Sequence, residues 1–210
     1  WEGDISSKKI INIIYNYEFI CSLSDQKEIK FINHIINFHI KRISFEIKTK
    51  KIKEISSYEM LALVLIDCCK NNLNNNISIK IRDLIHSQVD ENSMHKSYNI
   101  LEHAKFLNNL IEIKNIFLFF NLKIPEIINN SVLAMTSLLK SYSHDDLSLP
   151  LFNGCNNNHN DVVQNISKKE QFLKTKPFNK FKNGIAIYKN LNKVLFFDVV
   201  QPTKFTYSRD

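Results

Sequence analysis

Between residues 88 and 103 the chain reads QVDENSMHKSYNILEH, gathering Gln88, Asp90, Asn92, His95, Tyr98, Asn99, Glu102 and His103 within a few turns' length. Histidine, tyrosine and glutamate are side chains that carry protons in catalysis, and amides hydrogen-bond carboxylates. His95 and Asn99 are four apart, as are Tyr98 and Glu102, so they share one face of a helix and its entry turn. Residue type makes His95, Tyr98 and His103 candidates for proton transfer. The competing readings are structural. His95 and His103 would serve as helix-entry hydrogen-bonding groups, and Tyr98 as a core tyrosine with a wet hydroxyl.

The elements that must hold this segment are helical. Residues 4–22 put Ile10, Ile13, Ile14 and Tyr17 on one stripe, and residues 25–47 space Ile29, Ile32, Ile36, Ile40, Ile43 and Ile47 by three or four. Ser56-Ser57-Tyr58-Glu59 is a capping box ahead of the apolar run Met60–Cys69. An Asn-rich break at 71–76 and a short helix over 77–88 follow. The longest helix is predicted over 97–121. Ile100, Ala104, Leu107 and Ile111 form one apolar stripe and Leu110, Ile113, Phe117 and Phe120 another, so it must be covered on two sides. Pro125 suits a helix first turn, and the helix behind it runs to about Tyr142. Residues 143–161 read as loop. GIAIYK (184–189) and KVLFFDVV (193–200), separated by Asn190-Leu191-Asn192, read as a β-hairpin.

Composition agrees. With 3 glycines and 4 prolines in 210 residues, an all-β chain would lack turn residues, whereas long helices need few. The formal net charge of +7 points to a polyanionic partner, although most lysines are interspersed with acids as on an ordinary solvated surface. Lys48, Lys50, Lys51 and Lys53 form the densest cluster. Cys21, Cys68, Cys69 and Cys155 match no zinc or disulfide framework, and Cys68-Cys69 reads as two small core residues. His34 and His39 are five apart, which is no zinc-helix spacing, and the single His and Asp of 156–161 suit a loop better than a metal tract. No transmembrane segment is expected. The chain opens at Trp1 without Met and stops just after a strand, so both ends read as cut.

Several landmarks recur in one order: Trp1 opening a helix with Lys8 and Lys9, the 88–103 segment, HDDLSLPLFNG at 144–154, and Asn183-Gly184 leading into the strand that ends VLFFDVVQP. Together they resemble the heparinase II/III-like superfamily of polysaccharide lyases over essentially the whole chain. That family's signature is roughly Q-x-x-x-D-G-x-H/Q-x-x-R-S/N-P-x-Y-H, followed by a leucine-rich helix. Here Gln88, His95, Asn99 and His103 match it, and Asn92 stands for its Asp. Leu107, Leu110 and Ile111 carry the leucine pattern, and LFNG at 151–154 is the second match. The departures are Ser93 for the turn Gly, Tyr98 for Arg, Ile100 for Pro and Glu102 for the Tyr that active members use as base or acid. The Asn-His pair of an earlier family helix has no counterpart in EMLALVLIDCC.

The resemblance implies a mainly α fold. About six helices of an incomplete α/α toroid would fill residues 1–170, and the first antiparallel strands of a β-sandwich residues 171–210. It implies β-elimination on an acidic, uronate-containing polysaccharide, with His95, Tyr98 and His103 catalytic. Gln88, Asn92, Asn99, Glu102 and Asn153 would contact the substrate, and no metal or other cofactor is required. Asn153 is equally a loop-shaping residue, Asn-Gly being turn chemistry. The implied compartment is the periplasm, with the cytoplasm left open. A rival reading is a toroid that has lost its site and binds a polyanion or a protein, for example in surface polysaccharide metabolism. Nucleic acid is not an expected partner, because no helix-turn-helix glycine turn or aromatic–basic interleaving is evident.

Overall fold

The computed structural model describes residues 3–70, 75–151, 154–155, 160–170, 178–182, 184–190 and 194–198. Over these residues the protein is mainly helical. The helices are α1 (Gly3–Tyr15), α2 (Tyr17–Ser22), α3 (Gln26–Thr49), α4 (Ser57–Cys69), α5 (Asn75–Gln88), α6 (Ile100–Phe119), α7 (Glu126–Tyr142) and α8 (Asn160–Lys169). The strands are β1 (Phe178–Lys182), β2 (Ile185–Lys189) and β3 (Val194–Asp198). They fall into two compact units, residues 1–87 with 112–125 and residues 88–111 with 126–210, so α6 contributes to both.

In the first unit α1 packs against α3 and α4. Every residue from Met60 to Ile66 is buried, as a helix apolar all round requires. The capping box forms as expected: the Ser56 hydroxyl accepts from the Glu59 N–H at 3.1 Å, and Glu59 Oε2 accepts from the Ser56 N–H at 2.9 Å. Glu59 is itself buried. Its charge is met by the Lys50 ammonium, while the Ser56 hydroxyl donates to the Asp4 carboxylate. α1 begins so close to this cluster that a Cβ on Gly3 would lie 2.0 Å from Glu59 Oε1. A side chain there would have to displace the Glu59 carboxylate.

The helix expected over 4–22 is divided at Asn16, whose backbone N–H and side-chain amide both donate to the Asn12 carbonyl, at 3.1 and 2.8 Å. On α3 the isoleucine stripe is buried only toward its end, at Ile40, Ile43 and Ile47. Of the paired cysteines, Cys68 is buried and Cys69 is exposed, because adjacent helical residues point about 100° apart.

In the second unit α6 buries both of its expected stripes as far as Ile111, and α7 buries Ile128, Val132, Met135, Leu138, Leu139 and Tyr142. The expected hairpin is present and extended by a strand: β1, β2 and β3 form an antiparallel sheet in that order, with Lys182 opposite Ile185 and Lys189 opposite Val194. β2 alternates as a half-buried strand should, burying Ile185, Ile187 and Lys189. The buried Lys189 ammonium reaches Asp145 at 2.7 Å. Helix α8 was not legible beforehand, since its apolar anchors within a polar stretch are essentially Val163 and Ile166.

Candidate functional site

The segment 88–103 folds as a tight turn feeding the first turn of α6, all within the second unit. Val89 and His95 form an isolated antiparallel bridge, and the Lys96 N–H donates to the Gln88 carbonyl at 2.8 Å. Asp90 organises the turn. Its Oδ1 accepts from the N–H groups of Asn92 at 2.9 Å and Met94 at 2.7 Å, the turn chemistry expected of Asp in a loop. The backbone doubles back through Ser93, at φ 67, and Met94 drops wholly into the core.

A second left-handed residue, Tyr98 at φ 53, redirects the chain into α6. Asn99 then caps the helix, its Oδ1 accepting from Leu101 at 2.8 Å and Glu102 at 3.1 Å. The helix expected from residue 97 therefore starts at Ile100. Ser97 braces both neighbours: its hydroxyl accepts from the Asn99 N–H at 3.2 Å and lies 2.8 Å from His95 Nδ1.

The two histidines have different surroundings. His103 is fully buried, with both ring nitrogens bonded: Nδ1 accepts from the His95 N–H at 3.3 Å, and Nε2 donates to the Met135 carbonyl at 3.0 Å. That pairing defines a neutral ring protonated at Nε2. Burial drives its pKa down to about 4, against the opposing pull of the Met135 carbonyl. The catalytic contact expected of His103 is thus unavailable in this arrangement, because no nitrogen is open to a substrate. Its task here is to tie the turn to α7.

His95 is partly buried against the Phe106 ring, 5.6 Å centroid to centroid. Burial lowers its pKa, and the Glu102 carboxylate opposes that shift, so it is neutral at pH 7. The Ser97 N–H donates to Nδ1 at 3.3 Å, which puts the ring proton on Nε2, and the Ser97 hydroxyl can support either tautomer. The Tyr98 hydroxyl faces Asp90 Oδ2 at 3.4 Å. Burial first, then the Asp90 and Glu91 carboxylates, raise its pKa and hold it as the phenol. Glu102 is exposed and bonded to Lys105 at 2.7 Å. Asn92 is exposed and Gln88 half-buried.

The structure also joins two separate sequence landmarks. Gly154, the last residue of LFNG, has φ 77, and a Cβ there would stand 3.3 Å from Asn99 Nδ2. Cys155 is buried with a backbone contact from Leu101. The end of LFNG thus packs on the first turn of α6. Asn153 itself lies outside the described residues, as do 71–74, 156–159 and Asn183.

Residues missing from the expected set are Asp90, Ser97 and the Met135 carbonyl. An Asp opening a polar turn was a readable signal for the first; the Met135 carbonyl, 32 residues away on α7, left none. Elsewhere, in the first unit, a hollow of about 310 Å³ is lined by Asp67, Asn76, Ile77, Ile79 and Lys80, none of them an expected site residue. Burial raises the Asp67 pKa while Lys80 and Lys70 oppose it, and a lone carboxylate beside lysines offers no acid–base pair. Among the described residues no three His, Cys, Asp or Glu side chains cluster as metal ligands, and no helix is long and apolar enough to cross a membrane. Comparison with protein-family models, curated proteins and solved structures returns no match for this chain.

Proposed function

We propose that the chain is part of a heparinase II/III-like polysaccharide lyase, its helices the closing turns of an α/α toroid and β1–β3 the opening strands of a β-sandwich. The observation that carries this reading is the packing of Gly154 from LFNG on Asn99 of the 88–103 segment, since the two stretches that resemble the family meet at one helix entry. Ser93 adds to it. It holds a left-handed conformation at the position where the family carries glycine.

On this reading the turn acts on a uronate polymer by β-elimination. The C5 proton passes to His95 Nε2, once the ring proton has moved to Nδ1 against the Ser97 hydroxyl. The C4–oxygen bond breaks as the C4–C5 double bond forms, and the Tyr98 phenol protonates the leaving oxygen. Gln88, Asn92 and Asn99 would meet the carboxylate with their amides, since neutral donors stabilise the growing charge. Asn153 would contact the substrate as the resemblance implies. His103 positions His95 through the latter's backbone.

A second reading, a degenerate toroid that binds a polyanion or a protein, is favoured by one specific observation. The Asp90 and Glu91 carboxylates stand beside Tyr98 and repel an anionic sugar there. The assay is near-ultraviolet absorbance of the unsaturated uronate over a panel of glycosaminoglycans and alginate, in parallel with binding to each. Absorbance abolished by Tyr98→Phe and His95→Ala supports the lyase. Binding without absorbance supports the second reading, and neither signal sinks both.

A further inference from the structure

The outward face of α3 carries an arrangement that the turn chemistry does not use. Phe31, Phe38 and Phe45 recur every seven residues and are 65%, 59% and 68% exposed. Between and beside them, Lys27, Lys30, His34, Lys41 and Lys48 are also exposed. The order Lys27-Phe31-His34-Phe38-Lys41-Phe45-Lys48 steps by four and three, so nitrogen-bearing polar side chains and phenyl rings alternate along one nearly straight ridge. At 1.5 Å per residue it is roughly 32 Å long. The exposed acid on the helix proper is Glu28, at its start, while Glu46 is held by Arg42 at 2.8 Å.

A soluble surface tolerates scattered phenylalanines, but three in register flanked by lysines form a patterned face. Its occupant follows from the pattern. Coiled-coil pairing with a second copy would put Lys27, His34, Lys41 and Lys48 into the seam and desolvate them, which is costly. A nucleic-acid strand needs a groove that tracks its phosphates, and this ridge is convex. A bilayer surface satisfies both features: rings enter the headgroup boundary while lysine stems reach back to anionic lipid phosphates and carboxylates.

We propose that the α3 ridge docks the protein in the plane of an anionic lipid surface, with Phe31, Phe38 and Phe45 inserted and Lys27, Lys30, Lys41 and Lys48 paired to headgroups. The inference is independent of the proposed lyase chemistry, which lies in the other unit.

The test is co-flotation of the intact protein with vesicles of phosphatidylcholine, with and without about 30% phosphatidylserine. Binding is expected to the anionic vesicles, to weaken in raised salt, and to fall at least tenfold in both the F31S/F38S/F45S variant and the K41E/K48E variant. Circular dichroism and a thermal melt verify that each variant is folded. Failure to bind anionic vesicles, or binding unaltered in the folded variants, overturns the proposal. So does equal affinity for a single-stranded oligonucleotide, or a sedimentation coefficient that drops from dimer to monomer in the phenylalanine variant, which would assign the ridge to a second copy.

Discussion

The entry turn of α6 and the outer face of α3 invert the usual rule of polar outside and apolar inside. In the turn His103, the residue typed most plainly for chemistry, is sealed in the core with both nitrogens bonded. On α3, three phenylalanines typed for a core stand in solvent. Residue type reports what a side chain can do; its helical phase and its neighbours determine which of those things it does.

The inversion is broken or sharpened most strongly at His103. His103→Leu strips the donor from the buried Met135 carbonyl and the acceptor from the His95 N–H, and should cost about 2–4 kcal/mol in urea unfolding. A cost near zero would return His103 to the list of groups free to meet substrate. Its pH signature is also specific. The folded pKa, about 4, lies below the usual 6.5, so the unfolded chain binds the extra proton as pH falls. Stability from this group is therefore complete above pH 6.5 and lost on descending toward pH 4, by roughly 3 kcal/mol at most. The difference between native protein and His103→Leu should shrink across that window.

Asp90 comes next. Asp90→Ala removes the acceptor for two backbone N–H groups of the turn and should lower stability by about 1–2 kcal/mol. The same change takes a carboxylate from Tyr98, so the phenol should titrate at lower pH, read from its absorbance difference in alkaline solution. An unmoved Tyr98 titration would mean that Asp90 does not govern it.

The smallest effect is expected on α3. Phe38→Ser should alter unfolding free energy by no more than about 0.5 kcal/mol, whereas Ile43→Ala on the buried side of the same helix should cost about 2–4 kcal/mol. Comparable losses at the two positions would show that Phe38 is covered in solution and would remove the basis for a lipid-facing ridge.

Much of this was readable from local pattern. Apolar spacing located α3, α4, α6 and α7, the Ser56–Glu59 box located the start of α4, and turn residues located the β2–β3 hairpin, because each depends on residues within a few positions of one another. Less was readable at helix boundaries, where α1 gives way at Asn16 and the Asn99 side chain caps an α6 that begins only at Ile100. The polar composition of 88–103 by itself determined that a turn leads into the next helix there. Only tertiary structure decided which polar groups stay within reach of solvent. Met135 meets His103 from 32 residues away, and LFNG reaches Asn99 across some fifty positions of sequence. Such contacts follow from chain folding over long separations, which no local periodicity encodes.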